Sequence, residues 1–239
     1  MANSNLVNMS FSFRQVDCAR MLISRGADVH HINAKGWTPA FSIFGFIPDA
    51  HRMPCNEYLE ILSAASFADF DAQDGEGWTC MHRAAAFGNA EDIKLLLKCQ
   101  ASTSSRTIKV SWMPIFCAVQ FGNISTFNEL RKVQPEYLDL RDIRKWSLLH
   151  LAVNAQRLDM LELLISLGAD PHVRTLATEF LVPDDLKNQS LTPGDIAGLR
   201  GEDVLSRYVG ALRRCGHDLE VTRDGVHNES DIFWPSAEV

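Results

Sequence analysis

Chemistry in this 239-residue chain would have to come from a few carboxylates, one arginine and a handful of histidines. Asp71, Asp74, Asp139 and Asp142 fall close together in pairs, and paired carboxylates are what general acid–base work uses. Asp142 and Arg144, with His150 and Asp195 further along, make the nearest acid–base set for a reaction without a cofactor. Turn chemistry competes for the same residues, because Asp side chains bond the backbone two residues on. His82 and His150 recur in matched text, and His30–His31 stands alone. There is no G-x-G-x-x-G, P-loop, H-E-x-x-H, G-x-S-x-G or Cys/His cluster at zinc spacing. The sequence therefore predicts neither cofactor nor metal.

Charge narrows the partners. Residues 216–239 carry six acids against one base, a net −5 out of −7 for the whole chain, so the body holds about −2. No basic stripe is available to displace counterions from nucleic acid, and the acidic tail would be repelled by an anionic bilayer. No run nears the roughly 18 apolar residues of a membrane helix. Neither nucleic acid nor membrane is expected as a partner. The six scattered cysteines form no C-x-x-C pair, and the N-terminus lacks the basic start of a secretion signal. These features point to an intracellular, cytoplasmic protein, with the nucleus left open.

Positioning these groups falls to a repeat. Trp37, Trp78, Trp112 and Trp146 are spaced by 41, 34 and 34 residues. Around them the text recurs as Gly36-Trp37-Thr38-Pro39, Gly77-Trp78-Thr79-Cys80-Met81-His82-Arg83-Ala84, Ser111-Trp112-Met113-Pro114-Ile115-Phe116-Cys117-Ala118 and Lys145-Trp146-Ser147-Leu148-Leu149-His150-Leu151-Ala152. A further copy is Leu191-Thr192-Pro193-Gly194-Asp195-Ile196-Ala197, and Leu6–Phe13 is a worn first copy. A second apolar segment follows each block, as in Ile93/Leu95/Leu96 and Leu161/Leu163/Leu164. Thr38, Thr79, Ser147 and Thr192 suit helix N-caps, and Pro39 and Pro193 suit the first turn.

The pattern resembles the ankyrin-repeat family, whose signature is a turn, T-P-L-H-x-A and two helices about every 33 residues. The resemblance covers residues 5–212 and implies an all-α solenoid of helix–turn–helix repeats joined by hairpin-like fingers. The expected organisation is a repeat domain over 1–215, with repeats near 5–32, 33–70, 71–104, 105–138, 139–171 and 172–212. An acidic tail follows over 216–239. Ser111 and Lys145 replace the finger glycine and Phe116 replaces the signature histidine. Extra residues predict a loop near Phe46–Asn56 and an insertion at His172–Gln189 that lengthens the last finger.

What the resemblance implies is a monomeric, non-enzymatic module that binds a protein partner in the groove between fingers and inner helices. Trp37, Trp78, Trp112 and Trp146 would line the groove edge, and exposed aromatics make good hot spots. Glu76, Arg144 and Lys145 fall at finger tips, with Lys35. Phe87, Gln120, Phe121 and Asn154 fall on the inner-helix face. An alternative reading has the groove take a small apolar molecule, with Asp142, Arg144, His150 and Asp195 as the catalytic set of a cofactor-free isomerase, cyclase or lyase.

Overall fold

The computed structural model describes residues 2–13, 15–44 and 55–217. The expected tail from residue 218 and most of the expected loop near 46–56 lie outside the described residues. All the regular elements described are helical. They are α1 (Ala2–Ser12), α2 (Val16–Ser24), α3 (Pro39–Ile43), α4 (Asn56–Ala64), α5 (Cys80–Phe87), α6 (Ala90–Lys98), α7 (Pro114–Gln120), α8 (Ile124–Val133), α9 (Leu148–Asn154), α10 (Leu158–Ser166), α11 (Pro193–Arg200) and α12 (Glu202–Arg214). Short 3-10 turns occupy Tyr137–Asp139 and Asp184–Leu186.

The helices start where their caps dictate. The hydroxyl oxygens of Thr38, Thr79, Ser147 and Thr192 accept the N–H of Phe41, His82, His150 and Asp195 respectively. Each such cap is worth about 1 kcal/mol. Proline takes the first turn of α3, α7 and α11, where its missing N–H costs nothing. The helices are too short to stand alone in water, so packing of their apolar sides supplies the stability.

The chain divides into two compact units, Met1–Pro135 and Glu136–Val239. In the first, α1, α3, α5 and α7 pack side by side as one row, and α2, α4, α6 and α8 back them. Buried Phe41, Met81, Ile93, Leu96, Ile115, Phe116 and Phe127 fill the space between the rows. In the second, α9 packs on α11 and α10 on α12, around Leu149, Leu161, Leu164 and Leu212.

Fingers precede the first-row helices and close in one way. The backbone N–H of Asn33, Asp74, Thr107 and Asp142 donates to the carbonyl of Trp37, Trp78, Trp112 and Trp146. The side-chain oxygens of those same four residues accept the Trp N–H at 2.9–3.0 Å. Gly77 is required at its place: its φ is +81°, and a Cβ there would sit 2.7 Å from the Ile108 nitrogen of the next finger. Ser111 and Lys145 hold the matching left-handed conformation, at φ 60° and 61°, without being glycine. The last finger is long and paired on itself, Thr175 N–H to Leu191 carbonyl and Asn188 N–H to Thr178 carbonyl.

Candidate functional site

The matched histidines show how one helix pair fixes the next. The Nδ1 of His82 accepts the Thr79 backbone N–H at 3.1 Å, so its Nε2 carries the proton and donates to the Trp112 carbonyl at 2.9 Å. His150 repeats this, accepting from Ser147 N–H at 3.2 Å and donating to the Leu191 carbonyl at 3.1 Å. Burial pushes both imidazoles down to about pH 4, which keeps this neutral form. Asn8 stands in their place on α1, its side-chain N–H donating to the Trp37 carbonyl at 2.8 Å.

In the first unit an aromatic surface builds up on this frame. Trp37, Trp78 and Trp112 are half-buried, as are Phe87 and Gln120, and Phe121 is exposed. Phe87 and Phe121, at matched positions where α5 and α7 end, meet edge-on with ring centroids 4.7 Å apart. The guanidinium of Arg83 lies 5.1 Å from the Trp37 ring, 4.9 Å from Phe41 and 5.4 Å from Phe87. Its Nε donates to the Phe44 carbonyl at 2.9 Å. Such cation–ring contacts contribute about 0.5–2 kcal/mol each and hold the rings in register. Lys35 Nζ lies over the same Trp37 ring, 5.0 Å from its centroid. Glu76 is exposed; its carboxylate pairs with Lys109 at 3.0 Å and its carbonyl accepts the Ile108 N–H.

The second unit treats the same positions differently. Trp146 is only 2% exposed and Arg144 only 6%. Both expectations, an edge-lining tryptophan and a finger-tip arginine, are corrected by this burial. Arg144 lies 4.3 Å above the Trp146 ring, pairs with Asp142 at 2.5 Å and donates to the Leu181 carbonyl of the long finger at 2.6 Å. Asp142 also accepts the N–H groups of Arg144 and Trp146. Lys145 is exposed. Asn154 accepts two bonds from Arg200, which pairs with Asp185 on the long finger.

The candidate acid–base set is thus occupied by structure. His150 holds a helix start and a finger, and Asp142 holds a turn and a buried arginine. Asp195 accepts the Thr192 N–H at 2.8 Å, completing the cap of α11. An open cleft of about 360 Å³ lies between α10 and α12, lined by Asp159, Glu162, Leu163, Ser166, Ala211, Arg214 and Cys215, and none of that set lines it. Among the described residues no group of three or more His, Cys, Asp or Glu could hold a metal ion, and no helix is long and apolar enough to cross a membrane.

Arg83, Phe41 and Asn8 were missed from sequence. Arg83 directly follows the signature histidine, and Asn8 is the amide that replaces one; position in the repeat was the available signal.

Comparison with known proteins points one way. A family model described as ankyrin repeats (many copies) matches residues 47–97, and one described as ankyrin repeat matches 144–176. The chain is 28% identical over 134 residues to alpha-latrotoxin-Lg1a of Latrodectus geometricus, covering 56% of this chain and 9% of that protein. It is 33% identical over 97 residues to the 2-5A-dependent ribonuclease of Mus musculus, covering 41% of this chain and 12% of that protein. The chain spans about a tenth of the length of these curated relatives.

Proposed function

This chain belongs to the ankyrin-repeat family, and from that membership we propose that it binds a protein partner through the finger and first-helix side of its first compact unit. Ankyrin repeats are in general protein-interaction modules. The contact residues are Trp37, Trp78, Trp112, Glu76, Phe87, Gln120 and Phe121. Lys145 and Asn154 are contacts of the second unit taken by itself, where Trp146 and Arg144 support the finger from beneath.

The observation that carries this reading is Arg83, set within 5.4 Å of three aromatic rings, with Phe87 edge-on to an exposed Phe121. Rings already held in place lose little rotamer entropy when a partner covers them, which is how aromatic anchors become hot spots.

A photo-crosslinking side chain at position 121 tests the site in cells, with position 133, exposed on α8, as the control. A discrete protein adduct from 121 and none from 133 is expected. Trp78→Ala should then weaken capture of that adducted protein at least tenfold, the scale of a hot spot. Adducts from 133 alone, or an unchanged affinity, would overturn the reading.

A further inference from the structure

The last finger, within the second unit, ends in an apolar tip. Its arms pair the Thr175 N–H with the Leu191 carbonyl and the Asn188 N–H with the Thr178 carbonyl, so residues 179–187 form the loop beyond the pairing. In that loop Leu186 is turned inward, while Phe180 and Leu181 are 53% and 42% exposed side by side. Leu176 on the arm below is exposed as well. Single exposed apolar residues need no cause, whereas a contiguous group marks an interaction site.

Leu181 also holds φ at +52°. The other described non-glycine residues with positive φ are Ser66, Gln100, Ser111, Lys145, Gln156 and Asn188, all polar. For a bulky apolar side chain that region is an outlier. The strain is held from beneath: the Leu181 carbonyl accepts from Nη1 of Arg144 at 2.6 Å, and Asp142 fixes Arg144 in a buried pair. Strain held in this way gathers at binding sites, where it presets the direction of a side chain. A preset side chain loses little freedom on contact, so more of its burial appears as affinity.

Acids flank the apolar pair. Glu179 and Asp184 are exposed on either side of it, and residues 176–186 contain no base. Lys187 answers Asp184 at 2.6 Å, Asp185 turns to Arg200, and Glu179 is met by the neutral Asn188 amide at 2.7 Å. A second copy of this chain brings −7 and residues 216–239 bring −5, so either would meet like charge here. An anionic bilayer would too. A protein pocket edged with Lys or Arg suits both the apolar pair and its acids.

We propose that this tip is a docking element of its own, a preformed knob of Phe180 and Leu181 that enters an apolar, basic-rimmed pocket on a partner protein. It is separate from the surface of the first unit and does not rest on it.

A photo-crosslinking side chain at position 180 of the full chain, with position 133 as control, identifies in cells the protein that is entered. That protein, purified, is then titrated with variants of this chain. Phe180→Ser and Leu181→Gly should each bind it on the order of tenfold more weakly. Leu181→Gly should melt no lower than the parent, because glycine takes positive φ freely, so its lost binding is not lost folding. Glu179→Gln combined with Asp184→Asn should bind severalfold more weakly and with less dependence on salt. No adduct from 180, an equal adduct from 133, or an adduct with a second copy of this chain would each overturn the proposal. So would unchanged affinity in the Phe180 and Leu181 variants or in the neutralised pair. Sedimentation of the chain with neutral phosphatidylcholine vesicles, lost in Phe180→Ser, would overturn it in favour of a membrane contact.

Discussion

The fingers of Trp78 and Trp146 share a turn, a capped helix and a motif histidine, yet one tryptophan stays half-exposed and the other is buried. The difference lies two residues upstream and one finger onward. At Trp78 that upstream residue is Glu76, an anion with no attraction for a ring face, and it turns to Lys109 instead. At Trp146 it is Arg144, which lies over the indole and bonds both Asp142 and the long finger. One repeat position therefore makes a contact surface in the first unit and a piece of core in the second. Which it becomes depends on the neighbouring finger rather than on the motif.

The largest expected effect is Trp146→Ala against Trp78→Ala. Emptying the buried site should cost about 3–5 kcal/mol, and the half-exposed one under about 2 kcal/mol, in denaturant unfolding. Equal losses would break the comparison. Arg144→Ala leaves the Asp142 charge buried and should cost about 3 kcal/mol or more. Lys35→Ala, over the more open Trp37, should cost under about 1 kcal/mol.

Acid should act on both regions alike. His82 and His150 fold with their proton affinity lowered to about pH 4 from an ordinary 6.5. Between these values the unfolded chain binds more protons, so stability rises with pH across the window and is lost as pH falls through it. The loss by pH 4 should be on the order of 2–3 kcal/mol per histidine. His82→Asn, which copies Asn8, should remove one share of that slope in stability-versus-pH measurements. An unaltered slope would mean that other groups carry the acid sensitivity.

The smallest effect sharpens the comparison at the turn itself. Lys145→Gly relieves a left-handed residue at the place where Gly77 sits, and should gain about 0.5–1 kcal/mol in melting experiments. Gly77→Ala should lose more than that, because its Cβ would meet the Ile108 backbone.

The helices and their starts were legible because the signals are local. Thr79, Ser147 and Thr192 cap helices within three residues of themselves, and the tryptophan spacing carries the register. Burial was legible only in part. Nothing near Trp146 in the chain tells that Leu181, 35 positions on, will anchor the arginine above it. Arg83 was not legible, because a lone arginine on a helix ordinarily marks a solvated face and only the rings of the preceding pair reveal its role. Asn8 kept the chemistry of the motif histidine, an N–H donor of similar reach, while changing its letter.

The bond from each motif residue to the following finger runs in one direction. Asn8 donates to Trp37, His82 to Trp112 and His150 to Leu191. A chain shortened from its front end loses donors and leaves behind carbonyls at a finger, where water replaces the lost partner. A chain shortened from its rear strands a donor deep between helices, where nothing replaces it. Loss and gain of repeats over generations should accordingly be tolerated more readily at the front of each run than at its back.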